Sequence, residues 1–137
     1  MNGIYRIAAA VPTIKVANPL HNSKEIIDLY LQASQQSAAI VFMPELSLSS
    51  CSCADLFMQK KLLVECELAL QKICQATAKY NNILLIGLPY LLGHRVYNCI
   101  AVIQGGNLIA LLAKTFLQNS SSLNETRYFQ SWTSACP

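Results

Sequence analysis

Short apolar runs, most of them closed by a proline or a glycine pair, constrain this chain most, because two helix-period segments separate the first three. Residues 5–11 form the first run, which Pro12 ends, and they predict a buried strand. Residues 18–22, with Pro19, read as a loop, and Ser23 as the cap of a helix with apolar faces from Ile26, Ile27, Leu29, Tyr30 and Leu31. Residues 38–43 are apolar up to Pro44 and short enough for a strand buried on both faces. Small polar residues at 47–52 predict a loop. Residues 55–80 predict one helix, since Leu62, Leu63, Cys66, Leu70, Ile73 and Cys74 recur at three- and four-residue spacing. Residues 83–88 predict a strand ended by Pro89. Residues 95–104 and 108–113 predict two more, joined by the hairpin-type turn Gly105-Gly106-Asn107. Residues 120–124 read as a polar loop, and residues 131–137 carry no recognisable element. The order β-α-β-α-β-β-β is that of an α/β layered fold whose early strands are linked by crossover helices.

Composition narrows the function. Hydrophobic residues make up 53% of the chain and charged residues only 12%. So little charge points to a hidden interface or to further chain that covers apolar surface. The net charge of +3 is scattered, and Lys60 and Lys61 form the only adjacent basic pair, so nucleic acid is not an expected partner. No apolar run approaches the ~18–20 residues of a membrane span. Residues 7–11 are too short for a secretory signal and are followed by Pro12 and Lys15, so the six cysteines are expected to be reduced, mostly buried and cytoplasmic. Cys51 and Cys53 make a C-x-C pair that no second pair or nearby histidine completes, so no metal is expected. No phosphate-cradling glycine loop appears, and no cofactor is expected.

Two charged residues stand where chemistry is done in such folds. Glu45 follows the apolar run 38–44, and ligands of α/β folds bind beyond the carboxyl ends of strands. It is a candidate general base or acid; a solvated loop glutamate is the alternative. Lys114 closes the run 108–113 and could lie at the same edge, where an ammonium ion can stabilise an oxyanion. The plain alternative is a strand-end lysine reaching water. The pair says more than either residue, because each ends an apolar strand in a chain poor in charge.

The stretch Ile40-Val41-Phe42-Met43-Pro44-Glu45-Leu46-Ser47-Leu48 resembles the segment around the glutamate of the nitrilase superfamily's Glu-Lys-Cys triad. Lys114-Thr115-Phe116-Leu117-Gln118-Asn119 resembles the segment around its lysine, with Gly87-Leu88-Pro89 and Tyr97-Asn98 between them. The nearest subgroup is the N-terminal glutaminase domain of glutamine-dependent NAD synthetases, on the strength of residues 5–9, Val16–Pro19 and Cys53-Ala54-Asp55-Leu56-Phe57. The resemblance implies an α-β-β-α sandwich, of which residues 1–137 carry the first part. It implies that Glu45 takes a cysteine's proton, that Lys114 stabilises the tetrahedral intermediate, and that the cysteine attacks the side-chain amide of glutamine or of another small amide. A separate synthetase domain would receive the ammonia.

The sequence also departs from the family. Its nucleophilic cysteine lies well beyond the lysine, so the chain is expected to stop before it and to be inactive alone. Cys136 is too close to Lys114 and lacks the family context. Cys51 and Ser120 stand where the family has substrate-shaping tyrosines, Ser50 stands for a glycine, and Gln118 for a proline. The expected partners are the missing C-terminal half or a second copy of the chain. Two further readings stay open: a noncatalytic module that pairs with another subunit, and an unrelated α/β binding domain.

Overall fold

The computed structural model describes residues 3–120 and 123–133, built around one five-stranded sheet in the order β1-β2-β3-β4-β5. β1 (Ile7–Ala9), β2 (Ile40–Phe42) and β3 (Ile83–Leu92) run parallel, in the register Ile7–Ile40–Ile83. β4 (Arg95–Gln104) and β5 (Asn107–Ala113) follow as antiparallel hairpins. Parallel neighbours require crossovers. These are α1 (Pro19–Gln35), between β1 and β2, and α2 (Lys60–Thr77), between β2 and β3. The hairpin turn between β4 and β5 uses Gly105 at φ 57° and Gly106 at φ 77°, the left-handed pair that a two-residue connection needs.

The helices pack together over one face of the sheet. Along the strands every second residue points to them: Val41, Leu84, Ile86, Leu88, Ala101 and Ile103 are fully buried. α2 meets this layer with Leu62, Cys66, Ala69, Leu70 and Ile73, and α1 with Ile26 and Tyr30. The alternate residues make the opposite face. There Ile7, Phe42, Ile100 and Leu112 are 58%, 42%, 46% and 59% exposed, so this apolar face meets solvent.

The structure corrects several expected boundaries. α1 begins at Pro19, not Ser23: Asn18 is the cap, its Oδ1 accepting the His21 N–H at 3.0 Å, and proline fits the first helical turn. Ser23 is buried inside the helix and donates to the Leu20 carbonyl. The helix expected over 55–80 is two pieces, a kinked 3₁₀ segment Cys51–Met58 and then α2, separated by Gln59 in an extended conformation. β3 runs through Pro89 to Leu92. The carbonyls of Leu85 and Gly87 face away from β4 and accept from Met43 and Leu48. Pro89 has the same parity, so its missing N–H lies on that side too, beyond the end of β2, and no ladder bond is lost. Residues 47–50 form a loop, as expected, and the loop is buried, while the 3₁₀ segment takes up the last two residues of the expected stretch. Within the expected loop at 120–124, β6 (Asn119–Ser120) pairs with β7 (Leu123–Asn124).

Candidate functional site

Glu45 lies just past β2, where the chain turns onto β3. Met43 N–H donates to the Leu85 carbonyl at 2.9 Å and Leu48 N–H to the Gly87 carbonyl at 3.1 Å, which lays residues 43–48 along β3. Gly87 makes this approach possible: a Cβ there would collide with the Leu46 amide nitrogen and lie 2.8 Å from Glu45 Cα. Asn22, fully buried, holds the loop from its other side, donating to the carbonyls of Lys15 and Leu48 at 2.9 and 3.0 Å.

Lys114 follows β5, its N–H donating to the Asn98 carbonyl of β4 at 2.8 Å. Its Nζ donates to Glu45 Oε1 at 2.8 Å. It also lies 3.0 Å from each carboxylate oxygen of Glu125, which opens the short 3₁₀ turn Glu125–Arg127. The structure thus brings Glu45 and Lys114 together and adds two residues with no role in the sequence reading. Glu125 sat inside a polar stretch with no pattern. Asn98 was only a letter of a motif, although an asparagine inside an apolar strand is a signal, because a buried amide must find partners. Asn98 is 3% exposed, and its Nδ2 donates to Glu45 Oε1 and, at 3.2 Å, to Glu125 Oε1.

Electrostatics follow from this arrangement. Burial works against the charge of Lys114, but hydrogen bonds from its ammonium to Glu45 and Glu125 and their negative charges outweigh it, raising its pKa above the ordinary 10.5. Burial also works against the Glu125 carboxylate; the Gln118 N–H, 2.6 Å from Oε2, and the Lys114 ammonium reverse that and hold its pKa below 4.5. Both oxygens of Glu125 are engaged. Glu45 Oε2 accepts no hydrogen bond from the described residues, and the Glu45 side chain is 51% exposed. The cluster therefore has one carboxylate oxygen open to accept a proton.

Cavities flank Glu45 on two sides. One, of about 470 Å³, lies on the open sheet face and includes Phe42, Leu85, Ile100, Leu112, Asn98 and Lys114 in its lining. The other, of about 430 Å³, is lined by Cys51, Ser52, Gln118, Asn124 and Glu125 among others. Cys51 is exposed and shares this second cavity with Glu45; Ser120 is exposed in β6 and lines neither. The C-x-C pair divides, since Cys53 is buried and donates to the Ser49 carbonyl. Burial pushes the Cys66 thiol up to about 12 and the Cys99 thiol up to about 11, so neither supplies a thiolate near neutral pH. Cys136 lies outside the described residues. Among the described residues, no helix is long and apolar enough to cross a membrane.

A helix-backed sheet whose strand ends join a carboxylate to a lysine makes this an α/β protein with a charged pair at its sheet edge, and its likeness to known proteins gives the family. Residues 6–135 match the carbon–nitrogen hydrolase family, and the chain belongs to it. The glutamine-dependent NAD(+) synthetase of Aquifex aeolicus is 39% identical over 109 residues, 80% of this chain and 19% of that protein. The structure of such a synthetase from Cytophaga hutchinsonii superposes with a TM-score of 0.88 at 26% identity, over 96% of this chain and 22% of that one. An amidase of the nitrilase superfamily from Nesterenkonia matches in fold, with a TM-score of 0.80 at 21% identity over 97% of this chain and 50% of its own. A variant of that amidase carries the acetamide moiety of fluoroacetamide on its active-site cysteine. The chain spans about a fifth of the length of the curated relatives it matches.

Proposed function

We propose that this chain is the glutamate- and lysine-bearing part of an amidase domain that hydrolyses the side-chain amide of glutamine and supplies ammonia for NAD synthesis. One observation carries the reading: Lys114 is clamped between two carboxylates, and among the described residues Glu45 keeps one oxygen without a donor while both oxygens of Glu125 are engaged. The names of the similar synthetases support glutamine as substrate.

In this reading a cysteine from outside this sequence approaches Glu45 Oε2, which takes its proton. The thiolate attacks the amide carbon, and the tetrahedral oxyanion forms beside the Lys114 ammonium. The C–N bond breaks as Glu45 returns the proton to the leaving nitrogen, and ammonia departs. Water, deprotonated by the same carboxylate, then opens the thioester, and glutamate leaves with the thiol restored. Glu125 is saturated with donors and acts by fixing Lys114. The apolar sheet face is where the second sheet of the sandwich packs, so residues 1–137 are one part of the domain and inactive alone. A packing module without chemistry has no need of three polar side chains, Glu45, Asn98 and Glu125, gathered around one ammonium ion.

The test is ammonia release from glutamine, first by the chain alone and then by the chain joined to the remainder of the Aquifex aeolicus synthetase. We expect none from the chain alone. The joined protein is expected to turn over, with Glu45→Gln lowering kcat by about 10²–10⁴-fold. Turnover by the chain alone that Cys136→Ser abolishes would instead place the nucleophile at Cys136. Turnover of the joined protein that Glu45→Gln leaves intact would remove the base.

A further inference from the structure

We infer that Asn98 is a positioning residue for Glu45: its two amide protons, each given to a different carboxylate, gather both donors on one Glu45 oxygen and so leave the other open. The catalytic meaning of this rests on the reading above; the geometry does not.

Two carboxylates drawn to one ammonium ion leave an excess negative charge. Like charges at such range repel unless donors lie between them. Lys114 alone does not settle the arrangement, because a point charge on a flexible stem holds a carboxylate by either oxygen. Asn98 removes that freedom. Its backbone sits in β4 opposite Pro89, and its carbonyl receives the Lys114 N–H, so the amide and the lysine share one rigid frame. Its Nδ2 then donates to Glu45 Oε1 and Glu125 Oε1, the same two oxygens that receive the Lys114 ammonium. Two donors and two acceptors close a ring, with Glu45 Oε2 outside it. An amide is the side chain of this size that can do so: an aspartate would add a third negative charge, and an aliphatic residue would leave Glu45 Oε1 and Glu125 Oε1 to one ammonium.

The groups facing Glu125 are Lys114 at the end of β5, Glu45 after β2, Asn98 on β4 and the Gln118 N–H. Nuclear magnetic resonance on the chain itself, with no substrate, reads the ring through three signals: the Asn98 side-chain amide protons, the Lys114 ammonium protons and the Glu125 carboxyl titration. In the unaltered chain the Asn98 amide protons are expected to exchange slowly with water. Asn98→Asp, which matches asparagine in volume, and Asn98→Leu, which keeps its branching without its donors, should each raise the Glu125 midpoint. Both should also weaken or abolish the slowly exchanging Lys114 signal. Thermal melting confirms that the variants fold. Fast exchange of the Asn98 amide in the unaltered chain overturns the inference without any variant. A Glu125 midpoint and Lys114 signal that persist in a folded Asn98→Leu protein overturn it as well. Turnover of the joined protein tests the base separately: loss of the ring signals with catalysis intact in Asn98→Leu would disprove positioning while sparing Glu45.

Discussion

The two faces of the sheet are built from the same kinds of residue and live in different surroundings. Leu84 and Ile86 on β3 are fully buried under the helices, whereas Ile100 and Leu112 on the other face are about half exposed. Strand alternation alone would have made the second face polar if water were its natural neighbour, as in antiparallel sheets with one wet side. Its apolar character is what the proposed sandwich requires, and the Glu45–Lys114 pair stands at the border of that face. The helix-covered face supplies stability, and the open face carries the candidate chemistry.

The comparison can be broken by substitution. The largest effect is expected from Leu84→Ala, which leaves a cavity beneath α2 and should cost about 2–5 kcal/mol in denaturant melts. The matched change Ile100→Ala on the open face should cost well under ~2 kcal/mol; equal losses would mean that both faces are covered in solution. Gly87→Ala comes next, at about 1–3 kcal/mol, because its Cβ meets backbone that cannot rotate away. It should also push Glu45 away from Lys114, which a weakened Lys114 ammonium signal would report.

A smaller effect of opposite sign belongs to the loop after Glu45. Ser50 sits at φ 87°, ψ 144° and Ala54 at φ 48°, ψ −129°, left-handed geometries that favour glycine. Ala54→Gly should stabilise the chain by roughly 1 kcal/mol, the relieved strain being partly offset by glycine's looser unfolded state. A lower melting temperature would show that the strain is absent. The smallest expected effects are those of pH. Glu125 has a depressed pKa, so its contribution is present above about 4.5 and lost as pH falls through the folded value. Lys114 has a raised pKa, so its contribution is full below 10.5 and lost as pH climbs through the folded value. Lys114→Met should flatten the alkaline limb.

Much of the fold was legible in order and little of it in detail. The apolar runs at 38–43 and 83–88 and the Gly-Gly turn set strand order and hairpin, because burial and positive φ are local demands. Pro19 carries a loop signal by itself, which places the expected start of α1 too late, although proline belongs in a first helical turn. The break at Gln59 had no signal, since no glycine or proline marks it.

What the sequence determined by itself is parity and placement. Alternation decides which strand residues share a face, and the ends of two apolar runs put Glu45 and Lys114 at strand ends. What only the tertiary structure decided is company. Glu45, Asn98, Lys114 and Glu125 lie up to 80 residues apart, from 45 to 125. No local preference reports that an amide and a second carboxylate close around the first pair. Hydrogen bonds act over about 3 Å in space, not along the chain, so the ring exists only once β3 has joined β2 to the β4–β5 hairpin and the Glu125 turn has packed beside them.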